Sequence, residues 1–400
     1  SLLNRLDETQ YHTQALIVCP TRELAEQVAE EIRRLARGIP NVKTLTLCGG
    51  RPMGPQLASL KRAPHIVVGT PGRLLKHLEK QTLKINKVET LVLDEADRML
   101  GMGFIEDIDD IDDYLPTTRQ TLLFSATYPD EIAQLSANFQ TDPVDIRIES
   151  DIPNAQIEES FYEVDRVDRL QVILRLLALH KPESTLIFCN QKHQCEQLKD
   201  DLWEEKLHAS ALHGDMEQYE RDRTLIQFSN KSTSILVATD VAARGLDINE
   251  LDLVINFELS ADPEVHVHRV GRTGRAGRAG TAASLVMRSE ENRLAAINNY
   301  RHTSHETLSP DILPAWGNVK LYPPMVTLSI GGGKRDKLRP GDLLGALTAS
   351  KEIDGISIGK INVLDKITYV ALAQESAKTA LAQLNEGKIK GKRYQARRLR

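Results

Sequence analysis

Short apolar runs alternate with segments of helical periodicity along the first part of the chain. The apolar runs lie at residues 15–19, 42–48, 66–68, 90–93 and 121–124, and helix-like segments at 23–37, 53–62 and 73–79 follow the first three. Strands that alternate with helices in this way are typical of a parallel sheet with helices on both faces. We therefore predict an α/β domain at residues 1–150.

A second α/β series begins after Pro153 and Asn154, where the periodicity breaks and a linker is expected. Its predicted strands lie at 185–189, 209–212, 235–238 and 253–257, and a helix is predicted at 195–207. The pattern indicates a second α/β domain at residues 157–300. Proline and glycine return at residues 301–320, which we interpret as a further linker.

Residues 321–400 follow a different order of elements. The pattern predicts strand 325–330, helix 342–350, strands 360–364 and 367–371, helix 375–384 and strand 393–399. This βαββαβ order is that of ferredoxin-like and RNA-recognition folds. The fold class expected for the whole chain is α/β, with two tandem parallel-sheet domains and a small α+β domain at the C-terminal end.

Charge separates this last domain from the rest of the chain. Residues 321–400 contain 15 Lys and Arg against 7 Asp and Glu, a net charge of +8, whereas residues 1–320 contain 36 against 49, a net charge of −13. A basic module on an acidic body is typical of nucleic-acid binding; a basic face that only aids solubility is the alternative.

With 41% hydrophobic residues, no bilayer-length apolar run and no signal-peptide pattern, we expect a soluble cytoplasmic protein with reduced cysteines.

Paired acids follow a predicted strand in the first domain. Asp94, Glu95 and Asp97 come directly after the apolar run 88–93. In doubly wound sheets, ligands bind beyond the carboxyl ends of the strands. One acid there can hold Mg²⁺ beside a phosphate chain, while its neighbour orients or deprotonates the attacking water. A solvated acidic loop is the alternative interpretation of this segment.

Polar and basic residues also follow the predicted strand at 235–238. Thr239 and Asp240 end that strand, and Asp247 lies within a turn or two, where it can accept a hydrogen bond from a ribose hydroxyl. The segment 268–275 then carries three arginines separated by small residues. Guanidinium groups bind phosphate oxygens in pairs, and one that reaches across a cleft can stabilise a transferring γ-phosphoryl group. A basic helix end on the surface is the alternative.

In chain order, these motifs make the sequence resemble a DEAD-box RNA helicase. The matching segments are 20–25, 49–50, 70–73, 94–97, 125–127, 186–188, Gln218 with Arg221, 239–247 and 268–275. The resemblance implies an RNA-dependent ATPase with two RecA-like domains that close on ATP and single-stranded RNA together. The expected fold is then two tandem RecA-like domains plus an RRM-like domain.

The resemblance also implies roles for individual residues. Those implied for Mg²⁺ and ATP are Asp94 (metal, through water), Glu95 (attacking water), Gly245 (nucleotide), Asp247 (ribose), and Arg272 and Arg275 (γ-phosphate). Those implied to couple the nucleotide site to the RNA site are Asp97, Ser125, Thr127 and His268. Carboxylates of the first domain would then face arginines of the second over one triphosphate.

RNA phosphates would lie along the opposite rim of the two domains. The residues implied to contact them are Thr21, Arg22, Gly50, Thr70, Gly72 and Arg73 in the first domain and Thr239 and Arg244 in the second. Small residues suit such places because backbone N–H groups approach a phosphate only where side chains do not intervene. Contacts limited to sugar and phosphate would make the motor indifferent to RNA sequence.

The C-terminal residues are similar to the RNA-binding domain of the DbpA subgroup in segments 338–342, 358–361 and 387–392. This resemblance implies a hairpin of large-subunit ribosomal RNA as the ligand, ribosome assembly as the process and a monomeric protein. The basic residues expected to contact the RNA are Lys334, Arg335, Lys337, Arg339, Lys388, Lys390, Lys392, Arg393, Arg397, Arg398 and Arg400. Few aromatics are available for base stacking, and Tyr369 is equally compatible with a half-buried strand residue.

One motif of the family is missing from the sequence. No GxxxxGK[ST] occurs, because the Gly-Lys pairs at Gly333, Gly359, Gly387 and Gly391 are followed by Arg, Ile, Ile and Arg. In the family this loop precedes the strand predicted at 15–19, so we interpret Ser1 as a truncation point. Its absence would also remove a central strand from the first sheet and expose apolar edges.

Residues 1–400 are expected to hydrolyse ATP poorly, because the lysine that neutralises the β- and γ-phosphates is missing. An RNA-stimulated ATPase assay tests this expectation, and turnover near that of a complete homologue would contradict it. A non-catalytic RNA-binding protein is the alternative function. A DNA translocase is a third possible function. Comparing the stimulation of ATPase activity by RNA and by DNA would distinguish it from an RNA helicase.

Overall fold

The structure is a computed structural model that describes residues 2–128, 130–147, 157–165, 167–243, 251–274, 279–317 and 320–399. These residues form two compact units, with residues 2–147 in the first and the described residues from 157 onwards in the second. None of the helices in these ranges combines the length and the apolar character that crossing a bilayer requires.

A parallel sheet organises the first unit. Its strands are β1 (Ala15–Val18), β2 (Thr44–Leu47), β3 (Ile66–Gly69), β4 (Thr90–Leu93) and β5 (Gln120–Leu123), in the spatial order β2-β3-β1-β4-β5. Its helices are α1 (Leu2–Arg5), α2 (Arg22–Leu35), α3 (Met53–Leu60), α4 (Pro71–Glu79), α5 (Ala96–Gly101), α6 (Ile105–Asp112) and α7 (Asp130–Phe139). Every residue of β1, β3 and β4 is buried, as expected where helices cover both faces of a parallel sheet. The carboxyl ends of the strands therefore share one edge.

The second unit begins with another parallel sheet. Its strands are β6 (Ile157–Glu163), β7 (Thr185–Cys189), β8 (Ala209–Leu212), β9 (Ile235–Thr239), β10 (Leu253–Asn256), β11 (Gly280–Val286) and β12 (Thr307–Leu308), in the order β12-β6-β11-β10-β7-β9-β8. Its helices are α8 (Arg169–His180), α9 (Lys192–Glu204), α10 (Gln218–Ser229), α11 (Asp240–Ala243), α12 (Pro263–Val270) and α13 (Glu291–Arg301). Strands β6, β11 and β12 were not among the predicted strands.

The segment interpreted as a second linker packs onto this sheet's hydrophobic core. Leu313 is 4% exposed, and Trp316 packs beside it. Arg175 on α8 donates from Nη2 to the carbonyl of Leu313 at 3.0 Å. The connecting chain therefore packs on the core of the second sheet up to Trp316, before it enters the C-terminal domain.

The C-terminal domain has the predicted βαββαβ order. Its elements are β13 (Met325–Ile330), α14 (Pro340–Thr348), β14 (Ile358–Val363), β15 (Thr368–Ala373), α15 (Ala377–Glu386) and β16 (Ala396–Arg398), with an antiparallel sheet in the order β14-β15-β13-β16. Leu328 and Val370 pack with Leu343 and Leu384 from the two helices in one core, so both helices cover the same face of the sheet. The predicted fold class, with two parallel-sheet domains and a small α+β domain, is confirmed.

Candidate active site and nucleic-acid interface

The acid pair of the first unit lies in the turn between β4 and α5. The Asp94 N–H donates to the carbonyl of Val18 at 3.0 Å, which holds Asp94 beside the end of β1. Glu95 has φ +53° and ψ +53°, the left-handed region, where a non-glycine residue is strained and such strain is concentrated at functional sites. Arg98 pairs with Glu95 at 2.7 Å (Nη1 to Oε2). The turn therefore places both carboxylates at the carboxyl edge of the sheet.

The surroundings of Asp94 suit a cation. Burial raises the pKa of this carboxyl group, while the backbone N–H of Glu95 and the guanidinium of Arg98 lower it by less. A partly dehydrated carboxylate gains when a cation binds. Among the residues that the structure describes, no group of three or more His, Cys, Asp or Glu could hold a metal by itself. A single carboxylate such as that of Asp94 is compatible with a hard ion such as Mg²⁺, which keeps several waters and shares phosphate oxygens.

The ends of β4 and β5 are joined by the predicted coupling residues. Thr127 donates from Oγ1 to Oδ2 of Asp97 at 3.3 Å. Ser125 donates from Oγ to the carbonyl of Thr127 at 2.5 Å. The Ala96 N–H also donates to the carbonyl of Phe124 at 3.0 Å. The structure therefore brings Asp97, Ser125 and Thr127 together beside the acid pair. Within the part of the chain that the structure describes, the buried Oδ1 of Asp97 has no hydrogen-bond partner.

The residues predicted to contact RNA in the first unit follow β1, β2 and β3, which are neighbours in the sheet. Thr21 begins α2 and accepts from the Leu24 N–H at 3.3 Å, and Thr70 precedes α4 with Gly72 in its first turn. Gly50 has φ +71°, and its Cα lies against the guanidinium of Arg22, so a side chain there would collide with it. The structure thus places these residues along one edge of the sheet.

Arg73 is braced by a polar network that the sequence did not reveal. Its Nη1 donates to the carbonyl of Arg51 and to Oε1 of Gln56, each at 3.1 Å. Gln56 is 8% exposed and in turn donates to the carbonyl of Cys48 at 3.0 Å, and its Oε1 lies 3.0 Å from Nε2 of the fully buried His77. Arg73 is therefore fixed in orientation before any ligand binds.

In the second unit, Arg269 holds the strand ends in place. It forms a bidentate pair with Asp240, at 2.7 Å from Nε and 2.6 Å from Nη2, and donates to Oδ1 of Asn190 at 2.7 Å and to the carbonyl of Glu258 at 2.8 Å. Its guanidinium also lies 5.2 Å from the centre of the Phe188 ring. Arg269 is therefore a structural residue.

The other predicted residues of the second unit are only partly covered by the structure. Thr239 ends β9, His268 lies near the end of α12, and Arg272 follows that helix, all partly buried. The Leu251 N–H donates to the carbonyl of Arg272 at 3.2 Å. Four residues lie outside the described ranges: Arg244, Gly245, Asp247 and Arg275.

The basic residues of the C-terminal domain converge from two loops, here named the basic loops and comprising residues 334–339 and 388–393. Lys390 donates from Nζ to the carbonyl of Lys337 at 3.1 Å and pairs with Asp342 at 3.6 Å. The side chains exposed on the basic loops are Lys334, Arg335, Lys337, Arg339, Lys388, Lys390, Lys392 and Arg393. Lys390 thus brings the two loops, with their exposed lysines and arginines, next to each other. Arg397 and Arg398 are exposed on the edge strand β16, and Arg400 lies outside the described residues.

Family models match all three parts of the chain. DEAD/DEAH box helicase matches residues 1–135, Helicase conserved C-terminal domain matches residues 168–277, and DbpA RNA binding domain matches residues 327–398. The two α/β folds with an acid pair and an arginine segment, followed by an RNA-binding fold, define a nucleic-acid-dependent ATPase.

Full-length relatives narrow this class. The chain is 52% identical over 400 residues to the ATP-dependent RNA helicase DbpA of Escherichia coli K12, covering 100% of this chain and 87% of that protein. It is 37% identical over 403 residues to DbpA of Bacillus subtilis 168, covering 95% and 83%. The chain belongs to the DEAD-box ATP-dependent RNA helicases of DbpA type, which are RNA-dependent ATPases.

Solved structures agree with the fold. Yeast Dbp5 bound to RNA and ADP BeF3 has a TM-score of 0.70 at 29% identity, covering 78% of this chain and 81% of that one. Mss116p bound to ssRNA and AMP-PNP has a TM-score of 0.66 at 26% identity, covering 76% and 65%.

Proposed function

We propose that the protein uses ATP and Mg²⁺ to unwind short RNA duplexes next to a hairpin of large-subunit ribosomal RNA during assembly of that subunit. The observation that carries the proposal is the cationic surface of the basic loops, held together by Lys390 on a domain that follows the helicase domains. Phosphate-rich, folded RNA is the ligand that such a surface fits.

In the proposed mechanism, the acid pair serves the nucleotide. Asp94 would hold Mg²⁺ through water, and Glu95 would orient the water that attacks the γ-phosphate. Mg²⁺ held by Asp94 would neutralise charge that develops on the phosphate oxygens. The roles proposed for the remaining nucleotide-site residues are ribose contact for Gly245 and Asp247, γ-phosphate contact for Arg272 and Arg275, and coupling to RNA for Asp97, Ser125, Thr127 and His268.

In the same mechanism, the helicase domains would bind RNA without regard to its sequence. The proposed RNA contacts of the helicase domains are Thr21, Arg22, Gly50, Thr70, Gly72, Arg73, Thr239 and Arg244. Helix starts and glycines offer backbone N–H groups to phosphates, which carry no sequence information. Selectivity would then reside in the C-terminal domain, because a bound hairpin raises the local concentration of neighbouring duplex.

A binding experiment tests this division of labour without depending on ATP turnover. One RNA carries a hairpin joined to a short duplex, and a second carries the same duplex on an unstructured strand of equal length. We expect the full chain to bind the hairpin RNA at least about tenfold more tightly in fluorescence anisotropy. Equal affinity for the two RNAs would refute the proposal.

A competition experiment tests the ribosomal assignment. Fragments of large-subunit RNA should displace the labelled hairpin at lower concentration than small-subunit fragments of the same length.

We also propose that the protein is a cytoplasmic monomer. The four cysteines are all buried free thiols, which suits a reducing compartment, and sedimentation of the full chain tests its oligomeric state.

A further inference from the structure

A cavity of about 400 Å³ lies at the start of β2, outside the sites described above. It is lined by Arg33 from α2, by Arg62 and by residues 41–44, which lead into β2, and is here named the cationic cavity. The residues proposed to contact RNA in the first unit follow the other ends of β1, β2 and β3. Because β2 spans roughly 10 Å, the cationic cavity lies at the opposite edge of the sheet.

The basic side chains of the cationic cavity have no acidic partner. Its lining includes Arg33, Lys43 and Arg62 but neither Asp nor Glu. Across the ranges that the structure describes, none of these three side chains forms an ion pair with a carboxylate. Residues 1–149 contain 17 Lys and Arg against 22 Asp and Glu, so the cavity is a local excess of positive charge on an acidic domain. Like charges held together in this way attract an anion.

Two exposed arginines are held at the mouth of the cavity. Arg33 donates from Nη2 to Oγ1 of Thr46 at 3.0 Å, and the next acid along this bond, Glu26, is engaged by another arginine. The guanidinium of Arg62 lies 5.0 Å from the ring centre of Tyr11, an arrangement that orients it. A planar guanidinium group binds phosphate oxygens in pairs, so both arginines present the geometry that a phosphate requires.

Lys43 lies deeper in the cavity than the two arginines, since it is only partly exposed. Its Nζ donates to the carbonyls of Ser59 and Arg62, at and beyond the end of α3, where the helix dipole is negative. Burial and the guanidinium of Arg62 lower the pKa of Lys43. A bound anion would compensate both effects, and one of the three N–H donors of the ammonium group is left for a ligand.

We infer that the cationic cavity binds a phosphate group, held by Arg33 and Arg62 at its mouth and by Lys43 inside it. A volume of about 400 Å³ falls within the range of small-ligand sites and is ample for a phosphate. The phosphate comes either from an RNA strand that extends beyond the contacts proposed above or from a free anion such as pyrophosphate. This site is separate from the proposed function, because it requires neither ATP turnover nor hairpin binding.

Calorimetric titration of the full chain with inorganic pyrophosphate tests the site. We expect the double variant Arg33→Gln/Arg62→Gln to bind pyrophosphate at least about tenfold more weakly than the wild type, because two charge-assisted contacts are lost. Lys43 is left unchanged, since its Nζ also bonds the end of α3. Arg62→Gln alone serves if the double variant fails to fold.

The matched control is Arg34→Gln/Lys61→Gln, which alters the neighbouring residue of each arginine. Both control positions are exposed and lie outside the lining of the cavity, and the net charge changes by the same amount. We expect the control to keep the wild-type affinity for pyrophosphate. Equal affinities of the double variant and the control would overturn the inference.

Nuclear magnetic resonance locates the bound anion, which calorimetry alone does not. Pyrophosphate should shift the amide signals of residues 41–44 in the wild type and in the control, and the double variant should lose these shifts. Residues 41–44 enter the edge strand of the sheet and line the cavity, so their amides report on its occupancy. Unshifted signals of residues 41–44 at saturating pyrophosphate would also overturn the inference.

An unstructured oligouridine strand distinguishes the two sources of phosphate. If RNA phosphates occupy the cavity, oligouridine should displace pyrophosphate and reproduce the shifts at residues 41–44. The salt dependence of oligouridine binding should then fall by roughly 1.4 in slope in the double variant, because two phosphate contacts are lost. If oligouridine leaves the pyrophosphate shifts in place, the site is confirmed as one for a free phosphate anion.

Discussion

Replacing Arg269 with Gln is expected to lower the free energy of unfolding of the second unit by about 3–5 kcal/mol. Arg269 is 1% exposed, and its guanidinium neutralises Asp240, whose side chain is 20% exposed. Removing one partner of a buried ion pair leaves an uncompensated charge in a poorly hydrated place. The loss exceeds that of a single hydrogen bond because Asn190 and the carbonyl of Glu258 lose their donor as well.

The shape of the Arg269 side chain should matter as well as its charge, because Arg269 joins the ends of three adjacent strands. Asn190 follows β7, Asp240 follows β9, and Glu258 lies just after β10, and these strands are neighbours in the order β10-β7-β9. Lysine retains the charge but presents a single ammonium instead of a planar fork. We therefore expect Arg269→Lys to recover only a minor part of the lost stability.

Tryptophan fluorescence during urea unfolding measures this effect in the right unit, since Trp203 and Trp316 are the two tryptophans of the sequence. Both lie in the second unit. The control is Arg288→Gln, because Arg288 is 84% exposed and pairs with Glu163 only at the surface. We expect no measurable shift of the urea midpoint for the control. An equally small shift for Arg269→Gln would contradict the structural role.

Strand-end chemistry was the part of the site that sequence patterns predicted best. In a parallel sheet the carboxyl ends of all strands share an edge, so the sequence pattern placed the acids and Ser125 on the same edge. That Asp97, Ser125 and Thr127 act together was implied only by the resemblance to the helicase family. The structure shows the bond between Thr127 and Asp97, because their strands β4 and β5 are neighbours.

Two of the three unpredicted strands, β6 and β11, escaped prediction because their composition is unlike that of a buried strand. β6 contains three glutamates, of which Glu159 is buried because His266 and Arg301 bind its carboxylate. β11 is built mainly from small residues, which gives a weak hydrophobic signal. Tertiary partners compensate for both features, and a local pattern contains no information about such partners.

Long-range contacts also decided the roles of Arg269 and Tyr369. Three arginines within one short segment look alike in sequence, and only the converging Asn190, Asp240 and Glu258 distinguish the first of them. The pattern around Tyr369 allowed either a stacking platform or a half-buried residue. The structure shows it buried, because another domain packs on its face of the sheet.

Neutralising two lysines of the second basic loop should produce the largest loss of RNA binding. The variant Lys388→Gln/Lys392→Gln removes two exposed charges and keeps Lys390, which braces the first loop through the carbonyl of Lys337. We expect the hairpin dissociation constant to rise about 10- to 100-fold, because each lost phosphate contact also forfeits counterion release. The slope of log K against log salt should fall in magnitude by roughly 1.5.

The matched control separates a defined RNA surface from general electrostatic attraction. Lys351→Gln/Lys378→Gln changes the net charge of the same domain by the same amount, and both residues are exposed outside the basic loops. If RNA binds the basic loops, the control should keep nearly the wild-type affinity and salt slope, since distant surface charges are screened within about 8–10 Å. Equal losses in the two variants would mean that the RNA responds to the field of the whole domain, which would refute recognition by the basic loops.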